Sequence, residues 1–216
     1  MFPEFLLHHA YTYLWNRLYS GFPAFQLALL DGDDVVAEAH ALSIPWDGSI
    51  EGLPAGWGPA FELGMTTDLL PTALSMLSIG VLPSRQGEGL GARMLEASRD
   101  AARAEGLATV LAPVRPTLKD RYPLVPVEEY VTWRRPDGSH FDPWIRLHER
   151  AGADIDASAP ESLAIEAHVA DWERWTGMAL PTDGDYVVPN MLAPLVVRGG
   201  IGRHAEPNVW MRHRLS

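Results

Sequence analysis

Cysteine is missing from the chain, which has 216 residues. Disulfides, thiolate metal sites and catalysis by a cysteine nucleophile are therefore excluded. Long apolar runs are missing too, since none reaches the roughly 18 residues of a membrane span. The start at Met1–Glu4 lacks the basic region of a signal peptide. We expect a cytoplasmic protein without membrane association, with residues 1–216 in one domain.

Positive charge is scarce, because 17 lysines and arginines stand against 28 aspartates and glutamates, for a formal net charge of −11. Nucleic-acid binding is disfavoured, since no basic face is present to displace counterions from phosphates. The acidity either favours cationic partners such as amines or only keeps the protein soluble. No metal site is expected, because His8 and His9 are adjacent and no H-x-x-x-H pair accompanies them.

The chain does contain a glycine-rich junction between an apolar segment and an amphipathic one. Met76–Leu82 is almost continuously apolar, as expected of a strand buried on both faces. The glycines that follow let the backbone approach an anion, and the free N–H groups of a helix start point at it. A strand, loop, helix, strand unit of the size of a right-handed crossover is predicted. Its helix has the stripe Leu90, Met94, Ala97 and Ala101, its stop is Gly106, and its second strand is Leu107–Ala112.

The spacing of the glycines distinguishes between phosphate-binding motifs. Gly-Lys-Ser and Gly-Lys-Thr are absent, and G-x-G-x-G replaces the G-x-G-x-x-G of a dinucleotide fingerprint. The alternative is a plain turn from strand to helix. Val81–Gly91 resembles the acyl-CoA pyrophosphate loop of the GNAT acetyltransferase superfamily, V-x-P-x-x-Q/R-G-x-G-x-G/A. The resemblance implies acetyl-CoA as co-substrate, bound by Ile79, Gly80, Val81, Arg85, Gln86, Gly87, Glu88, Gly89, Leu90, Gly91 and Ala92.

A second helix carries the candidate catalytic residue. Asp142 is a suitable N-cap, Pro143 suits the first helical position and Gly152 stops the helix. Leu147–Gly152 resembles the L-Y-E-K-x-G-F segment of the same superfamily, with His148 in place of tyrosine. The resemblance implies that His148 is the acid that assists the leaving CoA thiolate. The alternative is a surface histidine packed beside the cofactor.

The resemblance covers about residues 74–155 and implies an α/β (α+β) fold with a mixed, mostly antiparallel sheet flanked by helices. It also implies an N-acetyltransferase that acts directly on an amine, either a small molecule or an amino terminus, without a metal. The rival hypothesis is a non-catalytic acyl-CoA binding or sensing module. A homodimer is possible. An amine acceptor requires a base, for which Glu62, Asp68, Glu128 and Glu129 are unranked candidates.

The flanking segments show weaker patterns. We predict an N-terminal helix ending near Gly21, a hairpin from Phe25 to Ile44, and a loop over Pro45–Gly58. Strands are predicted within 161–172, 191–197 and 208–213. The proline- and aromatic-rich segment 115–141 is either a lid over a site or a structural insertion. Its candidate pocket residues are Tyr122, Tyr130, Trp133, Arg134, Arg135 and His140.

Overall fold

The computed structural model describes residues 3–215, so Met1, Phe2 and Ser216 lie outside the described residues. A sheet of eight strands forms the centre, and helices cover both of its faces. In chain order the elements are α1 (Leu18–Gly21), β1 (Gln26–Asp31), β2 (Asp34–Ile44), α2 (Trp57–Thr66), β3 (Ala73–Val81), α3 (Leu90–Ala104), β4 (Thr109–Val114), α4 (Val127–Tyr130), α5 (Pro143–Arg150), β5 (Asp154–His168), α6 (Val169–Thr176), β6 (Gly184–Tyr186), β7 (Leu195–Arg198) and β8 (Ile201–Arg214).

The sheet is mixed and mostly antiparallel, as predicted. Its order is β1-β2-β3-β4-β8-β7-β6. The strands β4 and β7 pair with different parts of one edge of β8, and β5 pairs with its other edge. Of the strand pairs in residues 3–215, β3 with β4 is parallel and the others are antiparallel. The connection between these two parallel strands passes through α3, because parallel neighbours require a crossover. The predicted strand, loop, helix, strand unit is therefore confirmed.

Each face of the central strands packs against different helices. On one face, Leu74 of β3 packs in a cluster with Leu95 of α3 and Ile145 of α5. On the other face, Leu77 of β3 packs in a cluster with Phe61 of α2 and residues of the N-terminal segment. Burial of each such side chain contributes about 2 kcal/mol to folding. These two layers hold β3 and β4 in place from both sides.

The buried side of α3 is broader than the predicted stripe. The helix faces both the sheet and α5, so more than one row of side chains is covered. Its buried residues are Leu90, Met94, Leu95, Ser98 and Ala102, whereas Ala97 and Ala101 of the predicted stripe are half-buried. Gly106 ends this region at φ +75°, as the predicted helix stop requires.

The N-terminal segment differs from the single predicted helix. Two 3₁₀ helices, Glu4–His8 and Thr12–Arg17, precede the short α1. The break falls at His9, whose backbone is extended and whose Nδ1 accepts a hydrogen bond from the Tyr11 N–H at 3.1 Å. A side-chain acceptor that binds the nearby backbone in this way competes with helix formation.

Other predicted boundaries also shift. The predicted hairpin forms from β1 and β2, but the predicted loop over Pro45–Gly58 is too long, because α2 begins at Trp57. The strand predicted within 161–172 is β5, which ends at His168 and gives way to α6. Within 191–197, only residues from Leu195 onward are in a strand. None of the helices in residues 3–215 has the length and apolarity that a bilayer crossing requires.

Candidate active site

The glycine-rich loop connects the end of β3 to the start of α3. A 3₁₀ turn at Pro83–Arg85 comes first, and the chain then turns at Gly87 and Gly89, whose φ angles are +88° and +77°. These angles lie in the left-handed region that favours glycine. A Cβ placed on either glycine would meet no atom within 4 Å, so the space beside the backbone is open.

The backbone N–H groups of this loop are available to an anion. Within residues 3–215, the N–H groups of residues 87–91 donate to no protein acceptor, whereas those of Ala92 and Arg93 bond to the Gly89 carbonyl. The first N–H groups of a helix have no intrahelical partner, and the helix dipole places partial positive charge there. Successive unpaired donors beside open space are what a pyrophosphate requires.

Arg85 and Glu88 anchor the loop to the hairpin. The Arg85 Nε donates to Glu88 Oε1 at 2.7 Å, and its Nη1 donates to Asp31 Oδ2 at 2.8 Å. The hydrogen bond from Arg85 holds the pKa of the Glu88 carboxyl below its usual value. Arg85 is thus shared between two carboxylates, which leaves the backbone N–H groups as the available donors of the loop.

The parallel strands β3 and β4 diverge beyond a short paired region. Their pairing is limited to Leu74 with Val110 and Ser75 with Leu111. Both strands continue past this point, β3 to Val81 and β4 to Val114. Within residues 3–215, backbone groups on the facing edges of the two strands therefore have no partner strand beyond Ser75 and Leu111. This gap leads towards the glycine-rich loop along β3, and Ile79, Gly80 and Val81 lie on its border, half-buried.

Two features of the gap were not predicted from the sequence. Pro113 lies within β4, although proline is normally confined to edge strands, and the divergence of β3 explains why it is tolerated. Opposite, the register between β2 and β3 shifts at Leu77, which marks a β-bulge. The indole Nε1 of Trp57 donates to the Leu77 carbonyl at 2.7 Å. A side chain from α2 thus fixes the backbone of β3 at the gap.

His148 lies on α5 and is buried, with 2% of its surface exposed. Its Nδ1 is 2.9 Å from Nε2 of His213 on β8, and its ring packs edge-on against Trp144. Burial, with a smaller contribution from His213, lowers the pKa of His148 to about 3. Burial lowers the pKa of His213 to about 4. The pair is therefore neutral at physiological pH, and the alternative of a surface histidine is wrong.

The helix that carries His148 begins as predicted. The Asp142 carboxylate accepts from the N–H groups of Trp144 and Ile145. It also accepts from the Leu118 N–H at 2.8 Å and the Tyr130 O–H at 3.0 Å, both within the segment 115–141. Trp144 then packs against α3 at Gly91, where a Cβ would lie only 3.0 Å from the indole. Asp142 thereby connects the segment 115–141 to α5, and α5 in turn packs against α3.

The segment 115–141 is packed against the rest of the protein. Tyr130 is fully buried and its ring contacts those of Tyr122, Trp133 and Phe141. His140 is buried, with Nε2 3.0 Å from the Val131 carbonyl. Arg134, by contrast, forms an ion pair with Glu149 at the surface, and Arg135 is exposed. This packing favours the structural insertion over the lid.

A buried charge cluster at the end of β4 was not predicted from the sequence. Arg115 Nε donates to Glu206 Oε1, and His204 Nε2 is 2.6 Å from the other oxygen of that carboxylate. Lys119, the chain's one lysine, is 1% exposed and donates to the carbonyls of Leu192 and Tyr122. His204 and Glu206 precede the strand predicted at 208–213, and no sequence pattern linked them to position 115.

The candidate bases lie outside this cluster. Glu62, Asp68, Glu128 and Glu129 are all exposed. Within residues 3–215, no group of three or more His, Asp or Glu side chains is arranged to hold a metal ion.

The chain is similar to proteins of known activity or structure. It is 30% identical over 224 aligned residues to an arginine N-acetyltransferase of Aspergillus versicolor, with 89% of the chain and 77% of that relative covered. Its fold is similar to the loading GNATL domain of CurA from Lyngbya majuscula (TM-score 0.61, 20% identity, 92% of this chain and 80% of that one). It is also similar to the GphF GNAT-like decarboxylase in complex with isobutyryl-CoA (TM-score 0.57, 20% identity, 93% and 83%). No model of a known protein family matches the chain.

Proposed function

The chain belongs to the GNAT superfamily of N-acetyltransferases, and on this premise we propose that its acceptor is a free amino acid, with arginine as the first candidate. The protein is an N-acetyltransferase that transfers an acetyl group from acetyl-CoA to an amine. Arginine is proposed because the relative's name specifies it and the similarity spans most of both chains. The binding-module alternative is not favoured, since that relative is an enzyme.

The observation that carries the acetyltransferase function is the glycine-rich loop, whose geometry suits acetyl-CoA. Its unpaired N–H groups at residues 87–91 and the open space beside Gly87 and Gly89 fit a pyrophosphate. We propose that Arg85, Gln86, Glu88, Leu90 and Ala92 complete this site, and that Ile79, Gly80 and Val81 hold the pantetheine arm along the gap. Acetyl-CoA supplies an activated acetyl thioester, and the protein's part is to position it.

The α-amine of arginine is the expected nucleophile. The guanidinium of arginine stays protonated at any physiological pH, so its nitrogens are poor nucleophiles. The α-amine is far less basic than the guanidinium, so it is the nitrogen that loses a proton more readily. The demand on a base is therefore modest, and a water molecule that passes the proton to solvent or to one of the four exposed carboxylates meets it.

We propose that His148 assists the leaving CoA thiolate. Support comes from its position in the helix segment that resembles the family motif. Because its pKa is lowered to about 3, the ring is neutral at physiological pH, and a neutral imidazole is too weak an acid to give its proton to a thiolate. It would instead stabilise the thiolate through a hydrogen bond from Nε2–H, with Nδ1 accepting from His213, while solvent supplies the proton. The alternative is that the buried pair has only a packing role, and the activity of a His148→Phe variant distinguishes the two.

The experiment that tests the function is calorimetric titration with acetyl-CoA, followed by a thiol-release assay with arginine. We expect micromolar binding of acetyl-CoA, no competition by ATP or NAD, and release of CoA that depends on arginine. Binding without thiol release from any amine would favour the sensing module. Absence of acetyl-CoA binding would contradict the proposal.

Three further expectations from the sequence stay predictions. These are one domain over residues 1–216, a homodimer, and residence in the cytoplasm. Light scattering during gel filtration tests the second, and limited proteolysis tests the first.

A further inference from the structure

We propose that Arg115 binds the carboxylate of the acceptor amino acid and that the buried Glu206 and His204 hold it in position for this task. The inference rests on the proposed function and adds to it a recognition site for the acid group. It applies to amino acids that present a free carboxylate beside the reacting amine.

Arg115 lies at the mouth of the gap between β3 and β4. It directly follows Val114, the last residue of β4, after β3 has diverged. Arg115 is four residues further along the chain than Leu111, which amounts to about 13 Å of extended strand. Alternation places Arg115 on the same face of the sheet as Leu111, which packs in one cluster with Leu77.

A chain of hydrogen bonds on this face crosses the gap from β3 to β8. Trp57 donates its indole N–H to the Leu77 carbonyl and its backbone N–H to Ser162 Oγ. Ser162 Oγ in turn donates to Asn208 Oδ1 on β8 at 2.5 Å. Glu206, the partner of Arg115, is two residues from Asn208 on the same strand and therefore on the same face. Arg115 and its partner Glu206 thus lie on the same face of the sheet as Leu77.

The guanidinium retains donors for a ligand. Its Nε binds Glu206, and its Nη2 donates to the Asn190 carbonyl at 2.7 Å. Within residues 3–215, its Nη1 has no hydrogen-bond partner, and a quarter of the side chain is exposed. Nη1 and the second hydrogen of Nη2 form the fork that binds a carboxylate through two parallel hydrogen bonds.

Burial of Glu206 and His204 next to Arg115 makes the free energy of folding less favourable. Glu206 and His204 are almost completely inaccessible to solvent, and burial of charged groups is expensive even when they are paired. Burial raises the pKa of Glu206, but the hydrogen bond from His204 and the charge of Arg115 outweigh it, so that the pKa is lowered. A permanently charged Glu206 fixes the orientation of the guanidinium. Stability alone does not account for such a pair, whereas positioning of a binding residue does.

The local charge suits an anionic group. Arg115 is charged at any physiological pH and is paired with the buried carboxylate of Glu206. Burial lowers the pKa of Lys119, whereas the charges of Glu206 and of the exposed Glu128 act in the opposite direction. Arg115, whose Nη1 has no partner within residues 3–215, is therefore the group of this cluster that can bind an acceptor carboxylate.

The test compares L-arginine with agmatine, which is the same molecule without the carboxylate. With saturating acetyl-CoA, we expect wild-type kcat/KM for arginine to exceed that for agmatine by about 30-fold, as a charge-assisted bidentate contact implies. Arg115→Gln should reduce this ratio to within about threefold, through a higher KM for arginine. Arg115→Lys should give an intermediate ratio, because it keeps the charge and loses the fork. Calorimetric affinity for acetyl-CoA should not change.

Controls separate this role from a structural one. Arg115→Gln leaves Glu206 buried without its partner, so the double variant with Glu206→Gln removes both charges and should show the same loss of discrimination. Arg198→Gln breaks an exposed ion pair with Asp185 and should leave the ratio at the wild-type value. Because both substrates are measured on one protein sample, partial unfolding lowers both rates and leaves their ratio unchanged.

The outcomes are distinguishable. Equal wild-type kcat/KM for arginine and agmatine, or an Arg115→Gln variant that retains the wild-type ratio, would overturn the carboxylate site and leave the acetyltransferase function in place. Transfer to neither compound by a protein that binds acetyl-CoA would reject the proposed acceptor class, and the role of Arg115 with it.

Discussion

The glycine-rich loop and the Arg115 cluster both suit negatively charged groups, but by opposite means. The loop offers backbone N–H groups at residues 87–91, is exposed, and has glycines with no neighbouring atoms. The cluster offers one guanidinium, oriented by buried side chains from distant parts of the chain. A backbone site is defined by a short run of φ angles, whereas a side-chain site is defined by tertiary packing. The two sites should therefore respond differently to substitution.

The largest effect is expected where a carboxylate enters the backbone site. Gly89→Glu should weaken acetyl-CoA binding by about 100-fold or more, because it places negative charge beside the pyrophosphate. Gly89→Ala is the matched control, since it introduces only the strain of a Cβ at φ +77°, which costs about 1 kcal/mol. Calorimetry measures both affinities, and circular dichroism confirms folding. Similar affinities for the two variants would exclude the loop as the pyrophosphate site.

A large effect on stability is expected at Asp142, which links the two regions. Asp142→Ala removes the cap of α5 and leaves buried donors at Leu118 and Tyr130 without an acceptor, so unfolding should become easier by about 3 kcal/mol. Asp137→Ala, at an exposed turn where the carboxylate binds Ser139, should cost less than about 1 kcal/mol. Urea denaturation measures both. Equal midpoints would mean that the insertion is not anchored through Asp142.

The buried histidine pair predicts acid sensitivity. The folded-state pKa values of His148 and His213 lie at about 3 and 4, below the unfolded value of 6.5. Between these limits the unfolded state binds more protons, so stability is fully present above about pH 6.5 and is lost as the pH falls. The loss is at most about 1.4 kcal/mol per pH unit for each histidine.

The variant His148→Phe tests both the acid sensitivity and the proposed catalytic role. The difference in unfolding free energy between pH 7 and pH 5 should shrink, whereas the exposed His168→Phe should keep it. If His148 stabilises the leaving thiolate through a hydrogen bond, kcat should fall by about tenfold while the affinity for acetyl-CoA holds. An unchanged kcat would assign His148 to packing.

The smallest effect is expected at Glu88. Its carboxylate lies in the loop and is compensated by Arg85, so Glu88→Gln should tighten acetyl-CoA binding by about threefold at low salt, and by less as salt screens the charge. Glu96→Gln, which removes a similarly paired carboxylate further along α3, is the control. Weaker binding by Glu88→Gln would mean that Glu88 contacts the cofactor through its carboxylate.

The difference between the two regions also explains what the sequence could predict. The loop was recognised because its chemistry depends on consecutive residues, and glycine at positions 87 and 89 is itself the signal for the required φ angles. The parallel pair β3 and β4 and the cap at Asp142 were predicted for the same reason, since local patterns specify them. The mixed, mostly antiparallel sheet was predicted from the family resemblance instead.

Features that depend on tertiary packing could not be predicted in this way. Arg115 and Glu206 are 91 residues apart in sequence, and nothing local connects them. Trp57 was placed in a loop, yet it fixes the Leu77 backbone from the start of α2. The burial of His148 could not be predicted, because its neighbour His213 is 65 residues away in sequence. In each case the sequence does not indicate which distant residues lie next to the side chain in the folded protein.

The single lysine has a further consequence for an enzyme that uses a reactive thioester. Lys119 is enclosed between two loops, with its ammonium group bound to two carbonyls. Thioesters modify exposed lysine amines without catalysis, and this surface presents none to them. The enzyme is thereby protected from acetylation of its own side chains by the compound it binds. Any acetyl-lysine found on it by mass spectrometry would report unfolding around Lys119 and not a reaction at the surface.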